Sequence, residues 1–230
     1  MKYPSLEKVY NYLVDNDVSI PYNLHRDLLD LKTEAHYTRV MWRAVRDLYN
    51  KTLTQFEFED VMIKVIESQL RKAWYAGMRE VGLTPEDMTA EYEAELQEIM
   101  LSEFDYVPGL AQSIRDARDN DLPIDPFKAR VELWVHRFTD VTNRAKLFCS
   151  KDGVRFKWVY GDTDHCTECE QLNGLVATAQ EWQTSGIRPQ SPPNPLLTCQ
   201  GWNCGCSLEM TSQRRSPNAL DVLLNIGIAR

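Results

Sequence analysis

Histidine is scarce, at four residues in 230. No Ser-His-Asp order, phosphate-binding loop or dinucleotide fingerprint stands out, so the familiar hydrolase, nucleotide and redox-cofactor classes find no foothold. No stretch approaches the ~20 apolar residues that span a bilayer. There is no internal repeat and no low-complexity run. Basic excess is missing too: 26 Lys+Arg face 34 Asp+Glu, a net charge of −8, which argues against a general nucleic-acid binder. The segment after Met1-Lys2-Tyr3-Pro4 is polar and charged, so the expectation is no signal peptide and a reducing cytosol as first environment. There, clustered cysteines are metal ligands or free thiols more often than disulfides.

What is present is an ordinary globular composition, 43% hydrophobic and 26% charged. The length suits a helical body plus a small module. The charge is uneven. Residues 151–230 carry seven basic and eight acidic side chains, so residues 1–150 hold 19 and 26.

Residues 1–150 read as helix almost throughout. The pattern predicts a short helix over Leu6 to Asn16, a break at Ile20-Pro21-Tyr22-Asn23, and a helix from Leu24 to Asn50. In the last, Leu24, Leu28, Leu31, Met41, Val45 and Leu48 mark the apolar stripe. Thr54-Gln55-Phe56-Glu57 fits a capping box, and Phe58, Met62, Val65, Ile66, Leu70, Ala73 and Gly77 follow at helical spacing up to a stop at Gly82. Thr84-Pro85-Glu86-Asp87 predicts the start of a helix reaching Phe104. Pro108-Gly109 predicts a break before a short helix, Leu110 to Asp119. A long helix over Phe127 to Phe148 carries the stripe Val131, Trp134, Val135, Phe138, Val141, Ala145 and Phe148. Beyond Lys151-Asp152-Gly153 the period changes. Val154 to Tyr160 alternates as a half-buried strand does, residues 186–195 hold four prolines and form a loop, and a last helix is expected over Asn218 to Ile228. The fold class is therefore mainly α, with 1–150 a helical domain, 151–212 a cysteine-rich α+β module, and 213–230 a docking tail.

Five of the six cysteines fall within 41 residues: Cys166 and Cys169 in a C-x2-C pair, then Cys199, Cys204 and Cys206. Zinc takes four thiolate or imidazole ligands. A C-x2-C step brings two sulfurs to one metal, and a metal supplies stability that a core of this size lacks. The pattern predicts one structural zinc per chain. Cys199 with Cys204, Cys204 with Cys206, or Cys199 with Cys206 complete the set, with His165 in reserve. The plainer alternatives are buried free thiols, a disulfide, or a C-x2-C redox pair. Cys149 reads as a packed thiol. The acids Asp162, Asp164, Glu168 and Glu170 read as solvated rather than as a catalytic base, so no enzyme is expected. Trp42, Trp74, Tyr75, Trp134 and Trp158 read as core, while Trp182 and Trp202 are candidates for an interface.

From Phe138 to Glu209, about 72 of 230 residues, the chain resembles the C-terminal module of the phage Mu F-like minor head proteins, or head morphogenesis proteins. The match runs through a helical arginine (Arg137 or Arg144), Lys157-Trp158-Val159, Asp164 before the Cys166–Cys169 pair, Leu172-Asn173-Gly174-Leu175-Val176, and a proline-rich loop leading to Cys204-Gly205-Cys206. It departs where Cys199 stands for the family's histidine, with a wider gap after it, and where Gly205 replaces the usual arginine. The resemblance implies a structural virion protein, assembled in the host cytoplasm, acting in head morphogenesis or as a head-to-tail connector. Its implied partners are portal, capsid and neck proteins, or copies of itself in a ring, with genome DNA nearby but not tightly held and no membrane. The rival reading is a zinc module that binds nucleic acid through Arg155, Lys157, Arg188, Arg214 and Arg215.

Overall fold

The computed structural model describes residues 34–202 and 204–226. The predicted helix Leu6 to Asn16, the break at Ile20–Asn23 and the first part of the helix from Leu24 lie outside them. The described chain is mainly α with one small sheet. Its helices are α1 (Glu34–Tyr49), α2 (Gln55–Glu80), α3 (Ala90–Phe104), α4 (Tyr106–Asp119) and α5 (Pro126–Phe148), then α6 (Thr167–Leu172), α7 (Ala179–Ser185) and α8 (Ala219–Asn225). The strands are β1 (Arg155–Val159), β2 (Val176–Thr178) and β3 (Ser207–Met210). No described helix is long and apolar enough to cross a membrane.

The capping box at Thr54 forms as expected, with Glu57 accepting from the Thr54 amide and the Thr54 hydroxyl accepting from the Glu57 amide. All seven apolar-stripe positions of α2 are buried. Two boundaries differ from the sequence reading. Thr84-Pro85-Glu86-Asp87 closes a separate 3-10 turn, Pro85–Asp87, and α3 begins later under its own cap, Thr89, whose hydroxyl accepts from the Tyr92 amide. Pro108-Gly109 does not break the chain. Both sit in the first turn of α4, where the proline nitrogen has no intrahelical carbonyl to serve anyway.

The body is organised on α2 against α5. Gly77 makes this possible: a β-carbon there would lie 2.3 Å from the Thr142 carbonyl oxygen and 2.7 Å from the Ala145 β-carbon. Polar groups bridge the same seam. Gln69 Nε2 donates to the Trp134 and Val135 carbonyls at 2.9 Å each, and the Thr142 hydroxyl reaches the Ala73 carbonyl at 3.2 Å. Around this pair Met41, Val45 and Leu48 of α1 and Ile99, Leu110 and Ile114 of α3 and α4 complete one continuous core, which also takes in Cys149.

A second core lies beneath the sheet, whose order is β2-β1-β3, antiparallel throughout. Phe156 and Trp158 of β1 point inward, Trp158 stacks on Trp182 of α7 with centroids 5.8 Å apart, and the Trp182 indole donates to the Phe156 carbonyl at 3.2 Å. Trp182 is thus core and offers no interface. Ala219, Leu223 and Ile226 pack into the same cluster, so the tail docks on the module.

Gly77→Ala drives a methyl group into the α5 backbone and is expected to lower stability by about 1–3 kcal/mol, the usual range for overpacking. Urea unfolding checks it, and an unchanged midpoint would contradict the close α2–α5 approach.

Candidate metal centre

The cysteines meet because of how the sheet ends. β1 and β3 are antiparallel, with Val159 opposite Ser207. The chain leaving β1 through Gly161 to Cys166 therefore lies beside the chain entering β3 through Cys204 to Cys206. The two backbones touch: a β-carbon on Gly161 would stand 1.8 Å from the Gly205 carbonyl oxygen. The Gly205 amide donates to the Thr163 hydroxyl at 2.9 Å. Cys166 occupies the N-cap of α6 and Cys169 its first turn, which brings their sulfurs to 3.3 Å.

Cys199 comes from the loop between α7 and β3, and Glu168 brings it in. The Glu168 carboxylate accepts the Thr198 amide at 2.8 Å and the Thr198 hydroxyl at 2.9 Å. With Thr198 tied to α6, Cys199 Sγ stands 3.6 Å from Cys166 Sγ. The Gly201 amide donates to Cys199 Sγ at 3.4 Å, and Gly201 needs its φ of +80° to make the turn. Glu168 is 7% exposed, so the sequence reading of a solvated acid is corrected: it is a buried positioning group.

All five expected ligands are brought together and can hold a metal ion. Cys166, Cys169 and Cys199 form one close set, and Cys169, Cys204 and Cys206 another, with ligand atoms in each within 4.8 Å. The fit to a thiolate-bound metal is good. Two sulfurs at about 2.3 Å from a tetrahedral zinc lie about 3.8 Å apart, near the observed separations. His165, the reserve ligand, places Nδ1 3.7 Å from Cys206 Sγ and stacks flat on Tyr160 at 3.7 Å.

The thiols perturb one another in opposite directions. Hydrogen bonds from Cys169 and Cys204 hold the Cys206 thiol down to about 3, helped by the Trp158 indole and the Gly161 amide. The Cys169 thiol is driven far up by its bonds to Cys204 and Cys206 and by burial. Burial likewise pushes Cys199 up to about 11. The Trp158 indole N–H is buried without a hydrogen bond and faces the Cys206 sulfur. A negatively charged sulfur is the acceptor such a group suits. Cys149 stands apart in the helical core, its thiol pushed up to about 12 by burial, a packed residue.

The cationic side chains near the module are largely engaged. Arg188 pairs with Asp140 at 3.2 Å, Arg215 binds Glu181, and Arg155 reaches the Ser212 carbonyl at 3.5 Å. Of the helical arginines, Arg137 bonds Glu103 and Asp140 at 2.7 Å each, and Arg144 pairs with Glu95 at 2.6 Å. Trp202 is 37% exposed and borders a groove of about 620 Å³ with Tyr106, Leu133 and Pro193.

No family model, no curated protein and no solved structure matches the chain.

Glu168 is testable by itself. Glu168→Ala removes the carboxylate that holds Thr198 and is expected to weaken the binding of any metal held by the cysteines about 10–100-fold, as loss of a group behind a metal ligand does. Glu168→Gln keeps one acceptor and should recover part of that. Chelator competition measures both, and equal affinity in all three proteins would remove Glu168 from the site.

Proposed function

We propose that the chain is a structural component of a phage particle, a minor head protein associated with portal, capsid or neck subunits, whose cysteine cluster holds structural zinc. The observation that carries the metal half is the convergence of five sulfurs from three separate chain segments on one end of a three-stranded sheet. Sulfur-only donor sets suit zinc among soft metals, and they suit structure more than hydrolysis, which keeps an open position on nitrogen or oxygen ligands. Zinc bound there supplies fixed positive charge to thiolates, and the protein's own part is to orient them. Glu168 holds the Cys199 loop, Thr163 holds Gly205, and Trp158 faces Cys206.

The virion half rests on the run of residues from Phe138 to Glu209 that resembles the Mu F-like head proteins. A non-enzymatic role is supported by where the reactive side chains go: Glu168, Asp140 and Arg188 all serve internal bonds. Binding to DNA is the weaker reading, because phosphate contacts need several available cations and Arg188 and Arg215 are engaged.

Protein purified without chelator is expected to carry zinc, and its removal should release the Trp158–Trp182 pair from its fixed environment, lowering the near-ultraviolet circular dichroism. Cys166→Ser should lower zinc content and weaken the same signal. Protein free of metal, with that signal intact, sinks the staple. Quantitative proteomics of purified particles should find a few copies per virion, and absence from both heads and particles sinks the virion role.

A further inference from the structure

Four ligands complete a tetrahedral zinc, yet this cluster offers five sulfurs and an imidazole. Among the described residues the sulfurs lie as two triads, Cys166–Cys169–Cys199 and Cys169–Cys204–Cys206. Cys169 belongs to both. It is 1% exposed, as Cys206 is, and lies in the first turn of α6. A single ion can use one triad and one further sulfur. The fifth sulfur is then left against a centre that already carries four thiolates and a net charge of −2.

We propose that the module holds a two-ion thiolate cluster in which Cys169 Sγ bridges both ions. The proposal rests on the zinc reading above and deepens it. One ion takes Cys166, Cys169 and Cys199. The other takes Cys169, Cys204 and Cys206. Two divalent ions with five thiolates leave a net charge of −1, smaller than that of one ion with four, so the second ion lowers the cost of holding sulfur anions in a partly buried place. It also gives every sulfur a metal. His165 Nδ1 lies 3.7 Å from Cys206 Sγ but is not within 4.8 Å of all three sulfurs of that triad, so the second ion's remaining position falls to water unless the imidazole shifts toward it. Cys166 and Cys199 are half-buried, so the first ion's remaining position faces water.

The arrangement makes each triad separable and Cys169 common. The test uses the full chain, with zinc and with cadmium-113 as probes. Native mass spectrometry after buffer exchange should count two ions per chain. Cadmium-113 resonance should show two signals in the sulfur-bound region, coupled to each other through the shared thiolate. Cys199→Ser and Cys204→Ser should each reduce the count from two to one, and Cys169→Ser should abolish tight binding. If Cys169→Ser does not fold, the other two variants decide. Saturation at one ion per chain overturns the bridge and leaves the single-zinc staple standing. No bound ion under any loading overturns the staple as well.

Discussion

A buried polar stripe on α5 holds the two halves of this molecule in one arrangement. Asp140, Asn143 and Lys146 follow one another at three-residue spacing, so they lie along one side of the helix. They are 2%, 3% and 5% exposed. Each reaches into the module: Asp140 accepts from Arg188, Asn143 donates to the Pro189 carbonyl at 3.2 Å, and Lys146 donates to the Leu208 carbonyl at 2.8 Å. Groups like these cost several kcal/mol when buried without partners. Any shift of the module along α5 would cost each of the three its partner there, leaving Asp140 with Arg137 and Lys146 with Glu80. The stripe adds little net stability, but it makes alternative dockings expensive, and that fixes where the proline-rich loop and β3 must lie.

The cysteine geometry follows from that placement. Arg188 and Pro189 anchor the start of the loop that later delivers Cys199, and Leu208 belongs to the strand that Cys206 enters. With both segments tied to α5, only α6 remains to be brought in. Glu168 does this through Thr198. The cysteine cluster is therefore assembled by oxygen and nitrogen contacts outside it. A cluster preorganised in this way loses less conformational entropy on binding a metal than one drawn from a mobile chain.

The helical body was largely legible in the sequence. Apolar spacing in α2 and α5 and the capping box at Thr54 are local signals, and local signals survive into the fold. Pro108 misled because proline punctuates a helix only from its interior, and in a first turn it fits. The five cysteines were legible as a ligand set by type and spacing. Their split into two triads was not, because it depends on the register of β1 against β3, a long-range fact. The polar stripe on α5 was hidden for a similar reason. Asp140, Asn143 and Lys146 look like a solvated face until a second unit covers them. Glu168, read as one acid among four, differs from Asp162, Asp164 and Glu170 only because Thr198 comes to it.

The two cores differ in how much apolar side chain they gather. The helical core gathers large side chains from α1 through α5, and long helices let each residue count toward a shared interior. The module has strands of three to five residues and helices of six or seven, so much of its chain is turn and loop. Phe156, Trp158, Trp182 and Leu208 give it a compact centre on one face of the sheet. At the sheet's far end Gly161 and Gly205 touch backbone to backbone and bring no side chains of their own, and the apolar packing there is the edge of the cluster, where Tyr160 stacks on His165. Thiolates held by a metal would add a cross-link at that end, since this needs only that sulfurs meet. Cys169 and Cys206 lie in the module's buried cluster and Cys166, Cys199 and Cys204 pack against it, so a metal held by them would tie the loops at that end to the apolar centre.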